Sequence, residues 1–262
     1  MILKDLLRAI RIPNVILVFL AQLFFSIKYN ELTLVNICII ALTGVLIAIG
    51  NIENNLLDYE LDLNCKGKSR NKIIEWLQNG TRFRVLEFIY ISLLSITIFK
   101  FELYVFIFGL TAFLLLKIYN HKLKKTFMIG NLAIALLCAA AIKALKIETC
   151  VMINLFCMII FLLTLCREII KDKEDEICDS QFGYKTLAIQ LQNTTVKGIL
   201  WTLLFLTIIV SFYLYKTKFL LILATLFLSF ILSFFIYKND WKKASLSVKL
   251  LILFGVISIW II

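Results

Sequence analysis

Ten of the 17 acidic residues of this 262-residue chain fall in two windows of twelve residues. Residues 51–62 hold Glu53, Asp58, Glu60 and Asp62, and residues 168–179 hold Glu168, Asp172, Glu174, Asp175, Glu176 and Asp179. Their spacing is regular. Asn51, Asn54, Asp58 and Asp62 step by three, four and four; Glu168, Asp172, Asp175 and Asp179 step by four, three and four. At about 3.6 residues per turn, each set makes one stripe along a helix face. Carboxylates arranged in this way repel one another, and at a helix C-terminus the dipole disfavours them further. A cation offsets both costs. Two such stripes facing each other across a bundle would make an oxygen-rich cage for hard divalent ions. Mg²⁺ is the natural occupant, because it accepts one or two carboxylates together with substrate phosphates.

Basic residues flank both stripes. Lys66, Lys68, Arg70 and Lys72 follow the first; Arg167, Lys171 and Lys185 surround the second; Lys124 and Lys125 lie between them in sequence. This mixture fits a diphosphate, whose charge is shared between Mg²⁺ and Lys or Arg donors. A pure cation pathway would not place so many positive charges beside its site; cation transport along the Asp stripes is the non-enzymatic alternative. His121 is the single histidine. That excludes a multi-histidine metal site, and a lone loop histidine reads as a bystander. The seven cysteines show no C-x-x-C pair and no zinc-like spacing.

The surrounding chain must hold these groups in a membrane. It is 61% hydrophobic and only 17% charged, with a mean hydropathy of +0.94. Soluble, disordered and collagen-like chains do not have this composition. Nine apolar segments approach the roughly 20 residues that a spanning helix needs: 12–27, 33–57, 83–99, 102–119, 127–145, 149–170, 198–215, 218–237 and 245–262. In lipid the backbone must satisfy its own hydrogen bonds, so these segments predict helices. The first of them reads as an uncleaved span. With the N-terminus in the cytoplasm, inside segments hold 18 of the 28 Lys and Arg residues and outside turns hold five. The positive-inside rule therefore supports nine spans, with the C-terminus outside. The expectation is an all-α, polytopic membrane protein in the cell's inner membrane, a nine-helix bundle forming one domain over 1–262. Cytoplasmic loops 58–82 and 171–197 would cap the active site. Most of the net charge of +11 would face anionic lipid and the cytosol; no nucleic-acid partner is expected.

At the two stripes the sequence resembles the UbiA superfamily of intramembrane prenyltransferases, on the branch that includes digeranylgeranylglyceryl phosphate synthases. The family signature N-D-x-x-D-x-x-x-D is similar to Asn54-Asn55-Leu56-Leu57-Asp58-Tyr59-Glu60-Leu61-Asp62, with Asn55 in place of the usual Asp. The second signature resembles Arg167-Glu168-Ile169-Ile170-Lys171-Asp172, then Glu174-Asp175 and Asp179, followed by Gly183-Tyr184-Lys185-Thr186-Leu187. Arg11-Ile12-Pro13-Asn14, Gly50-Asn51, Tyr119, Leu123-Lys124-Lys125 and Gly130-Asn131 add to the likeness. The family's usual Arg-Pro-rich segment after the first motif is here 64–72 and has no proline.

The resemblance implies Mg²⁺-dependent transfer of an isoprenyl group from its diphosphate to a lipophilic acceptor, a prenylglyceryl phosphate or an aromatic quinone precursor. Two Mg²⁺ ions would bind with the diphosphate. Asn54, Asp58, Asp62, Glu168, Asp172, Asp175 and Asp179 would be the metal-linked residues, with Asp58, Asp62, Asp175 and Asp179 central to catalysis. Lys66, Lys72, Lys124, Arg167, Lys171 and Lys185 are candidates to hold the diphosphate. Arg11, Asn14, Asn51 and Tyr119 are further substrate-binding candidates, Tyr119 through its ring face toward an allylic cation. A terpene cyclase of the same superfamily would share this site and is the enzymatic alternative.

Overall fold

The computed structural model describes residues 2–65, 70–100, 103–148 and 150–261. Helices and short turns make up the described residues, and no strand occurs among them. The protein is all-α, as its composition demands. Its helices gather into two compact units, Met1–Lys122 with Ala144–Lys146, and Leu123–Lys143 with Ile147–Ile262.

The first unit contains α1 (Ile2–Ala9), α2 (Ile12–Lys28), α3 (Leu34–Leu57), α4 (Tyr59–Asn64), α5 (Lys72–Leu77), α6 (Gly80–Lys100) and α7 (Leu103–His121). α1 and α2 meet at a bend of 65°. Arg11 at this corner takes a left-handed backbone (φ 50°), and Pro13 follows inside the first turn of α2, where a missing N–H costs nothing. α3 starts at Thr33, whose hydroxyl accepts from Asn36 N at 3.3 Å. It packs against α2, α6 and α7, so the helix that carries the first stripe is also the hub of its unit. Ile49, Ile52, Tyr90, Leu94 and Phe113 lie in the core around it.

The second unit contains α8 (Ile129–Lys143), α9 (Val151–Gln181), α10 (Leu187–Gln190), α11 (Asn193–Leu214), α12 (Phe219–Tyr237) and α13 (Trp241–Ser258). Here α9 is the hub, packed against α8, α10, α11 and α13. Its apolar stretch is largely buried, with Ile169 and Ile170 fully so. The first stripe thus begins on, and the second runs along, the most surrounded helix of its unit.

The apolar segments read from the sequence each carry one of the long helices α2, α3, α6, α7, α8, α9, α11, α12 and α13. Among the described residues, five of these are long and apolar enough to cross a membrane, and α1 with α2 adds a sixth as a bent pair. The two expected cytoplasmic connections are partly helical among the described residues. Residues 58–82 contain α4, α5 and the start of α6, and residues 171–181 continue α9 for three more turns. The end of an apolar run is not the end of a helix. Lys and Glu are good helix formers, and Lys171–Glu168 and Lys173–Glu176 pair one turn apart.

Gly130, in the first turn of α8, is required by a close approach. A Cβ there would stand 2.6 Å from the Leu123 carbonyl oxygen and 3.1 Å from Lys124 Cα. Gly198 in α11 meets nothing within 4 Å. Gly130→Ala should therefore destabilise the protein by about 1–3 kcal/mol, the usual cost of overpacking. Gly198→Ala should be neutral or stabilise by about 0.5–1 kcal/mol. Thermal unfolding in detergent compares the two.

Candidate active site

In the first unit, α3 ends at Leu57 and α4 begins at Tyr59. Asp58 lies at the break, with φ −93° and ψ 4°. The hydrogen-bond ladder still runs through it: Asp58 N donates to Asn54 O at 3.0 Å, and Asp62 N to Asp58 O at 2.8 Å. Asn54, Asp58 and Asp62 therefore keep the one-face register that their spacing predicts, across a change of helix. Asn54 and Asp58 are buried and Asp62 is half-buried.

Asparagines hold this end of α3 to the α1–α2 corner. Asn51 Nδ2 donates to Ile10 O at 2.9 Å. Asn55 Nδ2 donates to Ala9 O at 2.8 Å, while its Oδ1 accepts from Arg11 Nη2 at 3.0 Å. An aspartate at 55 could take the arginine but could not donate to the carbonyl. The departure from the family motif thus has a local use. Asn71 caps α5 and also donates to Asp5 O at 2.9 Å. Tyr59 ties α4 to α5 by donating its hydroxyl to Glu75 Oε1 at 2.7 Å.

In the second unit the stripe follows α9. Glu168 is buried, with Arg167 Nη1 on Oε1 and Lys171 Nζ on Oε2, each at 2.7 Å. Asp172 Oδ2 accepts from Asn131 Nδ2 at 2.8 Å. Asn131 comes next to Gly130, whose close approach is to the backbone of Leu123 and Lys124. Asp175 is half-buried and Asp179 is buried. Gly183 (φ 73°) turns the chain after α9, Tyr184 N donates to Asp179 O at 3.0 Å, and Lys185 N donates to Lys125 O at 2.9 Å. Lys125 Nζ stands 5.3 Å from the Tyr184 ring centroid. The backbones of Lys124, Lys125 and Lys185 are thereby brought together beside the end of the stripe.

Of the remaining candidates, Asn14, Tyr119 and Lys124 are half-buried, while Lys72 and Lys185 are exposed. Lys66 lies outside the described residues. The sequence reading passed over one group. Glu53 is buried and meets Lys117, Asn120 and His121 of α7. The available signal was the spacing of three and one that puts Lys117, Asn120 and His121 on one face of a largely apolar helix.

Every candidate ligand is an oxygen donor, which suits Mg²⁺. Among the described residues, no three His, Cys, Asp or Glu side chains gather as a closed metal site within either unit.

The model of the UbiA prenyltransferase family matches residues 14–257. The chain belongs to this family. It is 31% identical to a digeranylgeranylglyceryl phosphate synthase of Thermococcus sibiricus over 163 residues, covering 58% of this chain and 56% of that one. It is 29% identical to the synthase of Pyrococcus furiosus over 166 residues, covering 62% and 59%. The match thus spans less than two thirds of these curated relatives. Among solved structures, a UbiA homologue from Archaeoglobus fulgidus bound to GPP and Mg²⁺ superposes with a TM-score of 0.68 at 16% identity, covering 97% of this chain and 99% of that one. A homologue from Aeropyrum pernix K1 gives 0.69 at 13% identity, covering 93% and 96%. The UbiA fold and its apolar helices make the chain an integral membrane protein.

Tyr59 offers a local check on how the segment after Asp58 is tied down. Its phenol is held above its usual value of 10.0, first because the protonated hydroxyl donates to Glu75. The α4–α5 tie is therefore complete below that value and is lost as pH rises through the raised one. Glu75→Gln should move one tyrosine transition back toward 10. Ultraviolet titration against Tyr59→Phe identifies that transition.

Proposed function

We propose that the protein transfers an isoprenyl group from a prenyl diphosphate to a lipophilic acceptor at the cytoplasmic face of a membrane. The observation that carries this reading is a pair of carboxylate sets, one at the C-terminal end of α3 and in α4, the other along α9, each at the polar end of an apolar stretch and each beside basic groups. Family membership supports it. The names of the curated relatives favour a prenylglyceryl phosphate over an aromatic ring as the acceptor.

In the reaction the C1–O bond of the prenyl diphosphate breaks and the acceptor nucleophile bonds to C1. The acceptor gives up a proton and diphosphate leaves. Mg²⁺, as two ions, would take up the negative charge developing on the leaving diphosphate. Asn54, Asp58 and Asp62 of the first unit and Asp172, Asp175 and Asp179 of the second would hold those ions. Asn131 orients Asp172. Glu168 already bridges two cations, so it holds Arg167 and Lys171 ready for phosphate oxygens rather than serving the metal alone. Lys124 and Lys185 supply further positive charge. Tyr119 presents a ring face to allylic charge. The isoprenyl tail enters from the lipid among the apolar helices while its diphosphate stays at the rim.

A donor-by-acceptor screen with Mg²⁺, read by mass spectrometry, tests the reading. Geranylgeranyl diphosphate with a prenylglyceryl phosphate should yield an ether product and free diphosphate. A cyclic hydrocarbon or alcohol formed without acceptor would sink the transferase reading in favour of a cyclase. Asp58→Ala and Asp175→Ala should each abolish turnover, a loss of at least about 100-fold, while the protein stays folded in detergent. Near-normal rates in both variants would remove the carboxylates from the chemistry.

A further inference from the structure

Glu53 is a buried acid that neither the family motif nor the proposed metal set uses. It is 5% exposed, one turn before the end of the apolar helix α3. Its Oε1 lies 3.2 Å from Lys117 Nζ and 3.1 Å from His121 Nε2, and its Oε2 accepts from Asn120 Nδ2 at 2.8 Å. Asn120 Nδ2 also donates to Gly50 O at 3.2 Å. Lys117 is further ion-paired with Glu87 of α6, and its ammonium stands 5.9 Å and 5.8 Å from the Phe83 and Phe113 ring centroids. One carboxylate thus gathers three side chains from one face of α7, and through Lys117 it reaches α6.

A packing role alone does not require this arrangement. Gly50 lets α7 come close at the same place: a Cβ there would stand 2.2 Å from Leu116 Cδ2. Close apolar contact therefore joins the two helices already, but apolar contact does not fix rotation about a helix axis. A directional cluster of hydrogen bonds and ion pairs does. Asn54 is the next residue and Asp58 follows one turn later. Side-chain atoms lie about 5 Å from the axis, so a rotation of about 20° would carry those oxygens about 2 Å. Metal–oxygen distances tolerate only about 0.2 Å.

We infer that Glu53 is a positioning residue: by bridging Lys117, Asn120 and His121, it fixes the rotation of α3 and so presents Asn54 and Asp58 to the metal–diphosphate complex. The inference rests on the metal-binding role proposed above for those two residues.

Binding of the Mn²⁺–pyrophosphate complex to the full chain in detergent, read by electron paramagnetic resonance, tests it without turnover. Wild-type protein should bind the complex and Asp58→Ala should not. Glu53→Ala should weaken binding about 10-fold or more, in the range usual for groups that orient metal ligands. Glu53→Gln keeps an acceptor for Asn120 and should lie between Glu53→Ala and wild type. His121→Ala, which removes a half-exposed partner, should weaken binding about threefold and keeps the test open if Glu53→Ala fails to fold. Wild-type affinity in both Glu53→Gln and His121→Ala overturns the positioning role, as does a lower melting temperature with unchanged affinity. A wild-type protein that does not bind the complex overturns the proposed function and this inference together.

Discussion

Carboxylates at the ends of apolar helices need donors or cations around them, because burial removes the water that would otherwise carry their charge. Much of the polar structure of this protein follows from that need. Glu53 is met by Lys117, Asn120 and His121, Glu168 by Arg167 and Lys171, and Asp172 by Asn131. Each partner is fixed in turn by helix packing. α3 and α9 are both the hubs of their units and the carriers of the acids, so the same contacts that stabilise each unit also aim its carboxylates.

Neutral amides do much of this work. Asn51 and Asn55 hold the corner between α1 and α2, Asn71 ties α5 to α1, and Asn131 holds Asp172. An amide both donates and accepts and carries no charge. It can join a carbonyl to an arginine, as Asn55 does, without adding an anion to a crowded acidic region. The replacement of the family's aspartate at this position is therefore compatible with a working first motif: Asn54, Asp58 and Asp62 keep their register, and position 55 points to a structural task.

The sequence reading was most accurate where structure is local. Apolar runs marked the long helices, and steps of three and four placed the stripe residues on common faces. Where charge replaced apolarity, it read cytoplasmic connections and asked for helix only along the stripes. Residues 171–181 belong to the expected connection 171–197 and are helix, as the stripe spacing through Asp179 predicts; i,i+3 ion pairs and good helix formers extend α9 beyond its apolar part. The connection after Asp58 holds α4, which carries the stripe as far as Asp62, and α5, capped by Asn71; Tyr59 and Glu75 tie the two helices.

The sequence by itself determined the membrane class, the helical architecture and the two carboxylate stripes. These depend on composition and on periodicities within about a dozen residues, which one chain segment carries in full. Tertiary structure decided which groups meet. Glu53 finds Lys117 and His121 more than sixty positions away, Asn131 finds Asp172 across forty-one, and Arg11 finds Asn55 across forty-four. No local period encodes such pairs; they exist because helix packing brings those faces together. His121, a bystander when read alone, became a partner of a buried acid for that reason.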